Sequence, residues 1–413
     1  MRDLRHLYLL VATLVAPACH APQNALQPVV RAERGQLLRF GPLQVLVLRG
    51  SGYQMGLQHG RLLPSAKQVI AESLAWTERR GLSRAQLRVM FDQLAPHIPL
   101  RYREEMRGLA DGCGAPLDDV ELLHAMPSKF HCSGAAVARS MSRDGKLYHA
   151  RSLDYPLDIG TTTRIQNHAV VLVRVPDDGI ANAVPSWAGF LGAVTGLNDA
   201  GISIGEMGAE SDDESLRGMP MIFMVREALR RANRLAAAVD VFRRGPRTAG
   251  FNFIVGSGDE RQAVALEVTR SHLFVSGFGD PAEDRPPHKP LRDAVRRTNH
   301  FVGAQTAATH DATTDPVHGR SLARYQRITT FLEAHRGSHD ADSLIRLMRG
   351  YPPKHACLHQ AVMCSTDRVL WVANAVDNRD NPTAGAQNQT FYRVDLRALV
   401  AGRASTVETR TAH

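Results

Sequence analysis

The sequence predicts an α+β fold in which antiparallel sheets are covered by helices. Helical periodicity dominates the first third of the chain, and strand-like runs joined by tight turns dominate the rest. The helices also come in blocks, so the strand–helix alternation of a parallel doubly wound sheet is missing.

The elements follow in order. "GQLLRF" and "LQVLVLRG" read as strands around the turn Gly41-Pro42. Ser51 and Gln54 have capping-box spacing and open a helical region that runs to about Met126. Its segments are "SAKQVIAESLAWTERR", "SRAQLRVMFDQL", "RYREEMRGLADG" and "LDDVELLHAM". From Cys132 strands take over, among them "CSGAAVARS", "KLYHARSLD", "NHAVVLVRV", "GISIGEM", "FNFIVGS", "QAVALEV", "AVMCS" and "VLWVANA". One long helix, about Ser215 to Arg244, interrupts them, and shorter ones cover about Ser321 to His335 and Asp340 to Met348. Asp144-Gly145 and Asn198-Asp199-Ala200-Gly201 are hairpin signals.

Residues 1–22 read as a secretory signal. Arg2 and Arg5 precede an apolar run from Leu7 to Val15, too short to span a bilayer, and small residues follow. Ala16-Pro17-Ala18 fits a small-x-small cleavage pattern, and Cys19 directly after it is a candidate lipidation site of lipoprotein type. The expected location is therefore the periplasm or cell envelope, with membrane anchoring as the variant that Cys19 allows.

Beyond Cys19 the cysteines are Cys113, Cys132, Cys357 and Cys364. This is no disulfide scaffold, although the spacing of Cys357 and Cys364 permits one bridge. The net charge of +9 comes mostly from arginines spread along helical segments, with no basic stripe interleaved with aromatics. No nucleic-acid partner is expected.

Cys132 stands at the start of the first strand after the helical region, and Arg151 and Asp154 sit on the returning strand. A two-residue turn at Asp144-Gly145 places Arg151 on the face of Cys132 and Asp154 on the other. Both approach the sulfur only through a bulge, or if Asp154 lies past the strand end, as Pro156 favours. A nearby cation lowers a thiol pKa. If the chain were cut before Cys132, the freed α-amine would serve as base for its own side chain. The plain alternative is a small buried hydrophobe.

Several segments in order resemble the penicillin acyltransferase-like family of proenzymes, the group around acyl-CoA:6-aminopenicillanic-acid acyltransferase, within the N-terminal-nucleophile hydrolase superfamily. They are "GSGYQMGLQHG", "MRGLADGCGAPLDDVELLHA", "HCSGAAVARSMSRDGKLYHARSLDYP", "GFLGAVTGLNDAGISIGEMG" and "RTNHF". The resemblance implies a four-layer αββα sandwich and autoproteolysis of the His131–Cys132 bond. It implies a largely helical pro/α-chain region, 23–131, and a β-chain region, 132–413, together one domain.

It also implies that Cys132 is the nucleophile, that Asp154 holds the new amine, that Arg151 sets the local charge and that Asn299 donates to the oxyanion. The reaction implied is cleavage or transfer of the acyl group of a linear amide or thioester, with no cofactor or metal. Two departures stand out: Ser152 where the family often has Asn, and His131 where it has a small residue. A later family arginine is not placed; Arg320 and Arg324 are both candidates and neither is assigned.

Other residues have plainer readings. His59 reads as a hydrogen-bonded helix residue, Asn198 as turn chemistry, and Glu267 as a buried carboxylate that needs a partner, near the site or elsewhere. His355, Cys357 and His359 would share a strand face, which suggests zinc, but with Cys364 they match no closed site. Ser203 in "GISIG" lacks the strand–turn–helix setting of a nucleophile elbow. Rival readings are a choloylglycine or acid-ceramidase-like amidase, and a non-catalytic envelope lipoprotein with the same fold.

Overall fold

A computed structural model describes residues 25–126, 131–311, 315–350, 357–403 and 407–411. The expected signal segment with Cys19, and the candidate ligand His355, lie outside these residues.

Ahead of Cys132 the chain forms β1 (Gln27–Ala32), β2 (Gly35–Phe40), β3 (Leu43–Gly50), α1 (Gly52–Leu62), α2 (Ala66–Glu78), α3 (Arg84–Leu94), α4 (Leu100–Cys113) and α5 (Leu117–Ala125). The hairpin β4 (His131–Arg139) and β5 (Gly145–Asp154) follows, then β6 (Ala169–Pro176), β7 (Asn182–Trp187), β8 (Thr195–Asn198) and β9 (Ile202–Gly208). Next come α6 (Met221–Arg231), α7 (Leu235–Arg244), β10 (Phe251–Ser257), β11 (Gln262–Val268), β12 (Leu273–Ser276) and β13 (Ala294–Arg297). The chain continues through α8 (Ala304–Ala307), α9 (Asp315–Ala334), α10 (Ala341–Arg349), β14 (Cys357–Cys364), β15 (Val369–Asn374), β16 (Phe391–Asp395), α11 (Leu396–Val400) and β17 (Thr409–Arg410).

The strands form two sheets. One runs β1-β2-β3-β6-β7-β8-β9-β10-β11-β12 and the other β13-β4-β5-β14-β15-β16-β17. Neighbours are antiparallel except β3 and β6, which run parallel after the helical region has intervened. The sheets face each other where β4 and β5 meet β9 and β10. Helices α1, α6 and α7 cover the outer face of the longer sheet, and α9 and α10 that of the shorter. The molecule therefore has the expected αββα layering. Strands β9 and β10 are buried at every residue, because a layer covers each of their faces.

The long helix expected over Ser215–Arg244 is two helices, and Asn198 shows why. Its Nδ2 donates to the carbonyls of Leu229 (2.8 Å) and Ala232 (2.7 Å) at the end of α6, while its Oδ1 accepts from Ile202 N–H (2.8 Å). A side chain in the β8–β9 turn thus satisfies carbonyls that a continuing helix would have used. The disulfide permitted between Cys357 and Cys364 is excluded. They end the same strand, about 23 Å apart at roughly 3.3 Å per residue, and the four described cysteines are all free.

Gly52, Gly56 and Gly60 of "GSGYQMGLQHG" face α4 rather than a ligand. A Cβ at Gly52 would stand 2.1 Å from the Arg101 carbonyl oxygen, and one at Gly56 2.1 Å from that of Glu105. Gly108 returns the contact, with a Cβ there 2.1 Å from the Tyr53 carbonyl oxygen. His59 on the same helix is buried and accepts from Gly189 N–H at 3.1 Å, the structural role expected of it.

The α1–α4 contact is thus backbone on backbone. Gly56→Ala should destabilise the fold by at least about 1–3 kcal/mol, the usual cost of overpacking, as measured by urea unfolding. An unchanged midpoint would show that the two helices can part.

Candidate active site

The β4–β5 hairpin sets the geometry. Cys132 lies opposite Leu153, Gly134 opposite Arg151, and His131 opposite Asp154. The connecting loop is longer than the two residues that Asp144-Gly145 suggested, and a register shift near Arg139 takes one residue back from the offset. The total displacement is even, so the side-chain faces survive. Arg151 shares the face of Cys132, and Asp154 takes the other.

Cys132 is fully buried, and Arg151 donates from Nη2 to its sulfur at 3.0 Å. The same guanidinium binds Glu206 of β9 through its carbonyl (3.0 Å, from Nε) and its carboxylate (3.2 Å, from Nη2). Nη1 lies 3.2 Å from His359 Nε2. Arginine only donates, so that nitrogen accepts and His359 is neutral; burial, then the charge of Arg151, holds it well below its ordinary pKa. Gly205 makes room for this arginine: a Cβ there would stand 3.1 Å from Arg151 Cγ and 2.9 Å from His149 Nε2.

The backbone of Cys132 is held as firmly. Its N–H donates to Asn299 Oδ1 at 3.0 Å, and its carbonyl accepts from Arg324 Nη1 at 2.7 Å. Arg324 also donates to Ser133 Oγ (2.6 Å) and, through Nη2, to Asn299 Oδ1 (2.7 Å). Two donors on one side and the Gly208 carbonyl at 2.7 Å from Nδ2 on the other fix the orientation of the Asn299 amide. In this state Asn299 faces Cys132 as an acceptor.

A second ring of contacts places Asn299. Asn252 of β10 donates to the carbonyls of Thr298 and His300 at 2.9 and 2.8 Å, one on each side. Ser321 Oγ accepts from Asn299 N–H at 2.7 Å. Glu267, the carboxylate that needed a partner, accepts from Arg297 Nε (2.9 Å), Val302 N–H (2.8 Å), Gly303 N–H (2.9 Å) and Thr306 Oγ1 (2.6 Å). It anchors the turn after Asn299 and touches no reacting group.

Asp154 stands beside the backbone end of Cys132, away from the sulfur. Its Oδ1 accepts from Ser152 Oγ at 2.8 Å and Cys357 Sγ at 3.1 Å, and its Oδ2 lies 3.9 Å from Arg324 Nη1. Burial pushes the Cys132 thiol well up from its ordinary pKa, further than Arg151 pulls it down, so the thiol is protonated in the uncleaved chain. Burial likewise raises the Glu206 carboxyl to about 8, against the pull of Arg151.

The structure thus brings together Cys132, Arg151 and Asn299, with Asp154 at the backbone edge. It decides between the two candidate arginines: Arg324 enters the site, while Arg320 is exposed. Glu206 was not singled out from sequence, since a carboxylate in "GISIGEM" has no spacing that marks it. The three-residue zinc face does not form. A bulge at Leu358 sends Cys357 to Ser152 and Asp154, while His359 turns to Arg151 on the opposite face. Ser203 is buried within β9, 3.0 Å from His149 Nδ1 and 2.8 Å from Ser365 Oγ, so it is part of the packing between the sheets.

Gly208, which takes the Asn299 amide hydrogen, also lines a cavity of about 400 Å³. Met90, Leu94, Met126, Leu216, Met221 and Phe251 form much of its wall. An apolar cavity beside convergent polar groups is the usual form of a small-molecule site.

Protein dcd1B of Dictyostelium discoideum is 25% identical over 392 residues, covering 85% of this chain and 72% of that protein. The N-acylethanolamine-hydrolyzing acid amidase of Rattus norvegicus is 26% identical over 208 residues, covering 48% of this chain and 52% of that protein. Among solved structures, the Caenorhabditis elegans ortholog of that amidase superposes with a TM-score of 0.42 at 19% identity, covering 57% of this chain and 93% of the other. The family model described as Acyl-coenzyme A:6-aminopenicillanic acid acyl-transferase matches residues 143–372, a stretch that begins in the hairpin loop and includes Arg151, Asp154, Glu206, Asn299 and Arg324. That match spans more than half of the chain, which therefore belongs to the acyl-coenzyme A:6-aminopenicillanic acid acyl-transferase family.

Proposed function

We propose that this protein is a self-processing cysteine amidohydrolase or acyltransferase acting on a linear amide or thioester with an apolar acyl group. The observation that carries the reading is the grip on one residue. The sulfur of Cys132 meets Arg151 at 3.0 Å, its nitrogen meets Asn299 at 3.0 Å and its carbonyl meets Arg324 at 2.7 Å. Any buried backbone needs partners, but a cysteine that served packing alone would not need a guanidinium at its sulfur.

The proposed processing step runs within the chain. The sulfur adds to the His131 carbonyl carbon, the C–N bond breaks, and the leaving nitrogen takes the thiol proton. Water then cleaves the thioester and leaves an α-amine on Cys132. In turnover that amine accepts the thiol proton and the sulfur attacks the substrate carbonyl. The proton passes to the departing amine or thiol, and water or a second amine resolves the acyl-enzyme.

Asp154 and Asn299 hold the amine, Arg151 offsets negative charge at the sulfur, and Arg324 keeps Cys132 and Asn299 in register. Donation by Asn299 to an oxyanion would use its amide nitrogen, which is bound to the Gly208 carbonyl in the uncleaved chain.

The apolar cavity supports an acyl chain as the recognised part of the substrate. The relative that hydrolyses N-acylethanolamines supports an N-acyl amide as its class. Export, with Cys19 as the lipid-bearing residue, completes the proposal and rests on the layout of residues 1–22.

Denaturing electrophoresis with N-terminal sequencing tests the core of it. Wild type should yield a fragment that starts at Cys132 and holds about two thirds of the chain, and Cys132→Ala should stay whole. An intact wild-type chain would favour the non-catalytic envelope lipoprotein instead.

Arg324→Ala should lower kcat by about 10²–10³-fold, the scale of one lost oxyanion-type donor. Arg324→Lys should not restore it, because a single ammonium cannot span the Cys132 carbonyl and the Asn299 amide together.

A further inference from the structure

Asp154 is gripped on one oxygen and open on the other. Oδ1 accepts from the Ser152 hydroxyl at 2.8 Å and the Cys357 thiol at 3.1 Å. Oδ2 has no hydrogen-bond partner among the described residues although Asp154 is buried. It points toward Arg324 Nη1, 3.9 Å away, and that nitrogen binds the Cys132 carbonyl at 2.7 Å. The open oxygen therefore faces the backbone end of Cys132.

A local irregularity delivers Cys357 to this place. In regular alternation Cys357 would share the face of His359 and look toward Arg151. The register instead pairs Cys357 with Asp154 and His359 with Leu153, which leaves Leu358 without a partner of its own. This bulge turns the Cys357 side chain to the face of Ser152, Asp154 and Gln360. Gln360 Nε2 completes the group, donating to Ser152 Oγ at 3.3 Å and the Met348 carbonyl at 3.0 Å.

We propose that the Cys357 thiol and the Ser152 hydroxyl act as a two-donor clamp on Asp154 Oδ1, holding Oδ2 toward the amine of Cys132, so that Cys357 is a positioning residue for the catalytic base. The inference rests on the reading that the freed amine of Cys132 is that base.

The groups facing Asp154 are few. Arg324 approaches from α9, Cys357 from β14 and Ser152 from β5, while Arg151, Cys132 and, behind Arg151, Glu206 of β9 lie on the other face of the hairpin and act on Asp154 through space. Burial raises the Asp154 carboxyl above its ordinary value, while Arg324 and the donors from Cys357 and Ser152 oppose that rise. Burial holds the Cys357 thiol well above its own ordinary value, so it stays a protonated donor. Removing a donor to the charged form raises the carboxyl pKa further. Activity that needs the carboxylate is then lost at higher pH as the solution is acidified.

The test is the pH profile of kcat/KM for hydrolysis of p-nitrophenyl octanoate, an apolar acyl ester. Cys357→Ala should move the acid limb upward by about one pH unit, the scale of one hydrogen bond to an ionised carboxylate. The alkaline plateau should change less. Cys357→Ser, which keeps a donor, should return most of the shift, and Ser152→Ala should move the limb in the same direction. Should Cys357→Ala fail to fold, the serine variant and Ser152→Ala carry the test. An acid limb that stays put in Cys357→Ala and Ser152→Ala, with active wild type, overturns the clamp. Equal profiles for the alanine and serine variants, both displaced, would mean that the thiol serves packing alone. Wild type with no new N-terminus and no turnover would instead defeat the underlying reading, and the clamp with it.

Discussion

Arg151 crosses the gap between the two sheets, and the site is arranged around that crossing. From β5 its guanidinium reaches the Cys132 sulfur on the neighbouring strand and both the carbonyl and the carboxylate of Glu206 on β9. Arg151 and Glu206 have no solvent exposure. Removing either side chain would leave buried polar atoms of the other without a partner, which typically costs about 1–3 kcal/mol. The sheets can therefore stack in one register at this point, and that register aligns the β4–β5 hairpin with β9. Gly205 is the small residue that makes the crossing sterically possible.

Around this contact the polar groups form two sets with different tasks. Arg324 and Asn299 bond the backbone of Cys132, the part that changes if the chain is cut there, and Asp154 lies next to Arg324. Asn252, Glu267 and Ser321 bond the backbone of Asn299 or the residues around it, and hold the turn that presents it. The three side chains of the second set are fully buried, where a polar group needs a partner. The apolar cavity beside Gly208 completes the arrangement. Its walls come from α3, the end of α5, the chain leading into α6, and β10, so residues from both sides of Cys132 shape it.

Much of the site was legible as residue types at a spacing. Cys132, the Asp-Gly signal and Arg151 two residues inside the facing strand are local, and alternation along a hairpin preserves faces even when the turn length is misjudged. Asn299 and Asp154 rested on the family pattern. Arg324 could be narrowed to two candidates, because one helix turn separates residue 320 from 324 and periodicity alone does not tell which turn meets β4. Glu206 and the role of Cys357 were not legible. The first depends on which strand of the other sheet lies over Arg151, and the second on a single unpaired residue in β14.

The sequence by itself determined the class of elements, their order, the hairpin that carries the thiol and the face on which Arg151 meets it. These follow from periodicity and turn chemistry, which act over a few residues. Only the tertiary structure decided the break between α6 and α7, the bulge at Leu358, the choice of Arg324 and the pairing of Arg151 with Glu206. Each of those depends on a polar group finding a partner far away in the chain, and the energy of such a contact exists only once the layers have come together.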